Sequence, residues 1–399
     1  MIYFYRLFYF LFMLLLLTVK PLLNGKFKSW LDLRAKKIAK IKSFNKTYWF
    51  HASSGEIEYC KSLIRLVREQ HPTSQIVVTY SSPSAEKLFH NITDCVDQFI
   101  PLCWDQPRAL NDLIDYIRPV ILVFSKTDLW PELIRQVHNR GVKMGLISFN
   151  PKINFIGGLI NKMLLPQMNF ISCIDQATKN ELIARGLANV SVEGDTRFDQ
   201  VFYRLSQEPK LKLKSLNKIL VCGSTWPEDE TVLYETFSEL IKKNIKIVLS
   251  PHEVDAKTIL RIQKEIIRRG LSYQILSNEI DFLEINFENN ILIIDKIGYL
   301  ADAYRYGDMA FVGGSFKGKI HSVMEPLCCG LPVVTGPYYR NNPEAVKYQN
   351  RYVFQAFTSE DLVQISDKLI LIPKNEILNE MQQNKNASLK VLTLIENLV

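Results

Sequence analysis

Residues 48–67 read YWFHASSGEIEYCKSLIRLV, and the fold follows from how that stretch divides. The bulky run 48–50 has strand character, and Ser53, Ser54 and Gly55 interrupt it. Ile57, Leu63, Ile64 and Val67 then recur at helical spacing. Ser53 or Ser54 is placed to cap that helix, which puts Glu56 in its first turn. The pattern is one strand followed by one amphipathic helix. Working outward, strand-like runs return at 76–80, 120–124, 143–148, 170–174 and 190–192, with a further helical pattern at Leu129, Leu133, Ile134 and Val137. Repeated βα units predict a parallel sheet covered on both faces.

The alternation breaks at 205–218 (LSQEPKLKLKSLNK), a charged, Pro-containing stretch that reads as a linker. It resumes with strand-like runs at 219–221, 245–249, 291–294, 309–312 and 332–334, and a helix is expected from about residue 376. A chain of 399 residues exceeds one hydrophobic core. The expectation is therefore α/β, with two Rossmann-like parallel-sheet domains facing a central cleft, at 25–204 and 219–375. A C-terminal helix at 376–399 would follow. Ligands of such sheets bind at the carboxyl ends of the strands.

Charge is concentrated. Nine basic residues and one acid, Asp32, lie between Lys20 and Lys46, a net +8 that equals the formal net charge of the protein. A nucleic-acid binder would spread its basic residues over the folded domains, so this distribution points to a membrane surface. Just before it, residues 7–19 carry no charge, and Arg6 separates them from the apolar start. A full span needs about 20 apolar residues. Residues 1–24 therefore read as a short span or interfacial anchor with Arg6 snorkelling, and the basic collar would keep the domains on the cytoplasmic side. The seven scattered cysteines include no CxxC pair, which fits reduced, buried thiols.

Chemistry-bearing residues gather at the expected strand ends. On spacing alone, Glu56 reads more readily as a helix-dipole partner than as a general base, although a carboxylate on a strand-to-helix turn is well placed for the latter. Gly313-Gly314-Ser315 follows a strand, where small residues let backbone approach a ligand closely. A helix starting near Ser322 would offer free N–H groups to a phosphate, and Glu325 could accept from a ribose. No P-loop, HExxH or DxD pattern occurs, so no metal ligand set and no cofactor is indicated.

The chain resembles the Kdo (3-deoxy-D-manno-octulosonic acid) transferases. WFHASSGE at 49–56 is similar to the opening of their acceptor domain. Collinear matches follow at Asp128-Leu129-Trp130-Pro131, Gly194 to Asp199, Gly223-Ser224-Thr225 with Glu228-Asp229-Glu230, Pro251-His252-Glu253, Asp295-Lys296-Ile297-Gly298, Gly313-Gly314-Ser315, His321 to Pro326 and Gly336-Pro337. The resemblance implies a GT-B fold and metal-independent, inverting transfer of Kdo from CMP-Kdo to a lipid A precursor at the inner membrane. It implies Glu56 as catalytic base, with Lys126 and Arg197 as further catalytic groups. Lys126 stands where most members have Glu, and Arg197 where they have Lys. On the donor side it implies CMP binding by His252, Glu253, Ile297, Gly298, Tyr299, Ser322, Val323, Met324 and Glu325. Two other readings stay open: a transferase using a UDP-sugar on another lipid acceptor, and a non-catalytic binder of nucleotide or glycolipid.

Overall fold

The computed structural model describes residues 2–19, 25–34, 46–150, 162–278 and 285–399. Most of the basic collar (Lys20, and Lys36 to Lys42) lies outside the described residues. The described chain divides into two compact units, one of residues 1–200 with 384–399, the other of 201–383.

In the first unit, seven strands form one parallel sheet: β1 Thr47–His51, β2 Gln75–Tyr80, β3 Gln98–Pro101, β4 Pro119–Ser125, β5 Lys143–Phe149, β6 Phe170–Cys173 and β7 Val190–Val192. Their order is β3-β2-β1-β4-β5-β6-β7. Alternate side chains serve two cores. Tyr48, Phe50, Ile76 and Val78 pack with Ile57, Cys60, Leu63, Ile64 and Val67 of the helix Ile57–Gln70, whereas Trp49, Val77, Leu122 and Phe124 pack with the helices Pro107–Ile117 and Pro131–Asn139. Burial on both faces is why these strands read as continuous apolar runs. The strand order reverses between β1 and β4, and in open α/β sheets ligands bind outside the carboxyl ends at that switch point.

The second unit repeats the plan with β9 Lys218–Thr225, β10 Ile245–Pro251, β11 Tyr273–Ile275, β13 Ile291–Ile293, β14 Met309–Val312, β15 Val333–Thr335 and β16 Val353–Gln355, in the order β11-β13-β10-β9-β14-β15-β16. Here the switch point falls between β9 and β14. Two parallel-sheet α/β domains are thus present, as the alternation predicted. Within these two sheets, three strands escaped sequence reading: β3, β11 and β16. Each is an edge strand, short and only partly buried, so its apolar signal is weak.

Several readings are corrected. Residues 205–218 do not form a free linker. Leu211 and Leu213 are buried, and β8 (Leu213–Lys214) pairs with β12 (Ile285–Asn286) inside the second unit. The Lys-Leu-Lys-Leu alternation was strand periodicity. The C-terminal segment is two helices, Lys374–Gln382 and Ala387–Glu396, separated at Asn386, whose φ is +69°. The second of them returns to the first unit, where Val391, Leu392 and Ile395 complete the core around Tyr48 and Ile57. Asp199 fixes that return by accepting from the Asn386 and Ser388 N–H groups at 2.7 and 2.6 Å.

The N-terminal helix Ile2–Val19 is docked against the first unit. The Tyr5 hydroxyl donates to Asp105 at 2.6 Å, the Asp105 N–H donates to the Tyr9 hydroxyl at 3.0 Å, and Arg6 grips Glu132 through two bonds of 2.7 and 2.8 Å. Arg6 therefore does not snorkel; it neutralises a carboxylate that is 0 % exposed. Tyr9, Met13 and Leu16 are buried, while Phe4, Leu7, Leu11, Leu14 and Leu15 stand more than half exposed. Among the described residues, no helix is long and apolar enough to cross a membrane.

Candidate active site

The turn after β1 carries Glu56 to the switch point of the first sheet. Its geometry differs from the expected cap. Ser54, Gly55 and Glu56 form one 3₁₀ turn, the α-helix starts at Ile57, and the Ser53 hydroxyl accepts from Ser81 at 2.7 Å instead of capping. Ser54 has φ +48°, and Lys126, just past β4, has φ +55°. Such left-handed conformations are costly for residues with a side chain and cluster where function demands them.

Thr127 Oγ1 donates to Glu56 Oε1 at 2.8 Å. Oε2 is buried and has no hydrogen-bond partner among the described residues. Burial pushes the Glu56 carboxyl above the usual carboxylate range, against the opposing pull of the Thr127 hydroxyl and the Lys126 charge. A carboxylate with one oxygen fixed and the other open is equipped to take a proton.

Lys126 and Arg197 stand beside it. The Lys126 ammonium lies 5.2 Å from the centre of the Tyr59 ring, and the Arg197 guanidinium lies 4.5 Å from the same ring. Arg197 is held by Asp195 through bonds of 2.6, 3.1 and 3.2 Å, and Thr196 donates to the Tyr59 carbonyl at 2.6 Å. The first sheet therefore brings together Glu56, Lys126 and Arg197, three residues spread over 142 positions. Sequence reading missed Tyr59, the platform beneath both cations, and Thr127, since neither sits in an obvious pattern.

Behind the turn runs a buried chain of hydrogen bonds. Trp49 Nε1 donates to Thr79 Oγ1 at 2.8 Å, Thr79 Oγ1 meets His51 Nδ1 at 2.8 Å, and His51 Nε2 meets Asp128 Oδ2 at 3.0 Å. Ser81 donates to the same Asp128 oxygen at 3.0 Å. Because Asp128 only accepts, His51 Nε2 carries a proton. Burial pushes the Asp128 carboxyl up, but His51, Ser81 and the nearby Arg34 outweigh it and hold it below the usual range. His51 is thus fully buried and satisfied, and it positions the Asp128 loop.

The donor-side positions gather around β9, β10 and β14 in the second unit. His252 is sandwiched between Trp226 (4.6 Å between ring centres) and His321 (4.4 Å), and Trp226 Nε1 donates to His321 Nε2 at 3.0 Å. That bond requires a lone pair on Nε2. Burial, and then the charges of His252, Lys319 and Lys317, push His321 down to about 4. Lys317 Nζ sits 3.1 Å from the centre of the Trp226 ring. His252, Glu253, Ile297, Gly298 and Ser322 are exposed, so their polar groups are open to a ligand, and Tyr299 is half-buried. Val323 and Met324 turn their side chains into the core, which leaves only backbone to offer.

Three donor-side expectations change. The helix begins at Met324 rather than near Ser322 and spans five residues, too short for a substantial dipole. Glu325 accepts a charged hydrogen bond from Arg204. The close approach that Gly313 and Gly314 permit is to protein: a Cβ on Gly313 would meet the Ser224 carbonyl at 2.2 Å, and one on Gly314 the Lys319 carbonyl at 2.3 Å. Trp226 and Lys317 were invisible to sequence reading, since their roles depend on loops from three strands meeting.

Residues 31–200 match the family model of the 3-deoxy-D-manno-octulosonic-acid transferases (Kdo transferases). The chain carries a Kdo transferase domain. Relatives of the same description agree: that of Chlamydophila psittaci is 26 % identical over 82 % of this chain and 77 % of its own, and that of Aquifex aeolicus is 27 % identical over 75 % and 78 %. Among solved structures, the UDP-GlcNAc 2-epimerase of Neisseria meningitidis bound to UDP-GlcNAc superimposes with a TM-score of 0.63. It is 14 % identical, covering 88 % of this chain and all of that one, a likeness of fold. The Kdo transferase domain thus occupies the first of two sheets of the GT-B kind, and Glu56, Lys126, Asp128 and Arg197 all lie within the matched residues.

Proposed function

We propose that this protein is a glycosyltransferase that moves Kdo from CMP-Kdo to a lipid A precursor, with inversion at the anomeric carbon. The observation that carries the reading is the Glu56 carboxylate at the switch point of a Kdo transferase domain, with Oε1 fixed by Thr127 and Oε2 buried and unpartnered. Oε2 takes the proton of the acceptor hydroxyl as its oxygen bonds to the anomeric carbon. The bond from that carbon to the CMP phosphate breaks, and the phosphate leaves with the electron pair. Lys126 and Arg197 supply positive charge for it. Lys126 stands where the resemblance places an acid, so Glu56 acts as the base with two cations, Lys126 and the Asp195-held Arg197, beside it.

The acceptor is amphiphilic, and the exposed apolar face of the helix Ile2–Val19 suits an enzyme resting on the cytoplasmic face of the inner membrane. The helix lies flat in that reading, since its opposite face is docked on the domain. The test is mass spectrometry of a lipid A precursor incubated with the protein and CMP-Kdo. A mass gain of one or more Kdo residues is expected, lost in Glu56→Gln. Transfer by Glu56→Gln at the wild-type rate would overturn the role of the base.

A further inference from the structure

An open cavity of about 1080 Å³ lies in the first unit, walled by Tyr5, Phe8, Tyr9, Phe12, Trp30 and Trp130. Small-molecule sites run to about 300–1,000 Å³, so this one accommodates more than a sugar or a nucleotide fragment. Ser82, Ser84 and Lys87 border it, and these are donors. Two further observations say what the cavity lacks. Trp130 Nε1 is buried with no partner among the described residues. Behind the wall, the guanidinium of Arg34 is stacked on Trp30 (4.7 Å) and Trp130 (4.3 Å). Arg34 is only 3 % exposed; its Nη1 donates to the Cys103 carbonyl at 3.3 Å and it feels the Asp128 and Asp105 charges, while Nε and Nη2 have no hydrogen-bond partner among the described residues. Buried donors are ordinarily satisfied.

An aromatic wall with an unpartnered Trp130 donor, bordered by serine hydroxyls and the Lys87 ammonium, suits an apolar chain joined to an anionic head. The position fits as well. Phe8 and Phe12 connect the cavity to the exposed apolar face of the N-terminal helix. Ser84 donates to Ser54 at 2.9 Å, which ties the border of the cavity to the turn that carries Glu56.

We propose that this cavity seats acyl chains of the acceptor, with the anionic headgroup lying between Lys87 and the Glu56 turn. The proposal rests on the acceptor being the amphiphile named above. A 14-carbon fatty acid bearing a terminal diazirine, photolysed with the full chain in detergent, should label peptides containing Tyr5 to Phe12 and Trp30. Ser29→Trp, which fills the cavity, and Phe12→Asp, which charges its wall, should abolish that labelling, and Phe12→Leu should keep it. Neither site touches Glu56, Lys126 or Arg197. Both disruptive variants should raise KM for an acylated acceptor about tenfold, the loss of roughly two buried methylenes, with kcat little changed. A deacylated, water-soluble acceptor should be turned over equally by all of them. Labelling confined to other regions overturns the cavity. Labelling in the cavity with an unchanged KM for the acylated acceptor shows that another lipid fills it, and overturns the assignment to the acceptor. Absence of any Kdo transfer would defeat the functional reading, while the labelling result would still decide whether the cavity takes acyl chains.

Discussion

Glu56 and Asp128 are two carboxyl groups one hydrogen-bonded loop apart, and their surroundings push them in opposite directions. Glu56 is raised by burial, whereas Asp128 is lowered by His51, Ser81 and Arg34 despite burial. Such divergence separates a group that exchanges protons from one that holds its charge. Thr127→Val removes the bond that favours ionised Glu56, so the acid limb of kcat/KM should move to higher pH. A profile identical to wild type would dissociate that limb from Glu56. Glu56→Gln should lower kcat by roughly 10²–10⁴-fold with CMP-Kdo binding retained, read by calorimetry on the same sample. His321 obeys a different linkage. Its folded value of about 4 is below the unfolded value, so its contribution to stability is present above pH 6.5 and is lost as pH falls toward 4. The melting temperature of His321→Gln should therefore fall less than that of wild type across that window, and equal slopes would remove His321 from the account.

At the scale of the element, the N-terminal helix shows what a sequence conceals. Its apolar character was plain, but the partner of Arg6 was not, because Glu132 lies 126 residues away and only the fold joins them. Arg6→Met leaves a carboxylate buried beside Gln136, and a loss of about 2–3 kcal/mol is expected on chemical denaturation. Arg6→Met with Glu132→Met should recover most of it. The opposite face gives the membrane test: replacing Phe4, Leu7 and Leu11 by Asp should abolish flotation with anionic vesicles while leaving the fold intact, and undiminished flotation would remove the helix from the interface. The strands tell a parallel story. Central ones such as β1, β4, β9 and β10 were legible because both faces are buried. β3, β11 and β16 were not, because an edge strand needs fewer apolar residues.

For the whole molecule, the alternation foretold two parallel sheets, while Glu56, Lys126 and Arg197 could be named as catalytic candidates only through the resemblance to the Kdo transferases, because position after a strand does not by itself assign a role. Their shared platform on Tyr59, the Trp226–His252–His321 stack and the Arg34 guanidinium between Trp30 and Trp130 arise from segments far apart in the chain, which local pattern does not encode. Chain order hides one further property. The first unit is made first but finished last, since Val391, Leu392 and Ile395 fill its core and Asp199 awaits the Asn386 and Ser388 N–H groups. At ordinary ribosomal speeds of about 5–20 residues per second, the interval between residue 200 and that final helix is roughly 10–40 s. For that time the nascent domain carries an open apolar slot, so the lobe that bears the chemistry depends on completed synthesis or a chaperone, and a chain cut at residue 384 should emerge aggregated.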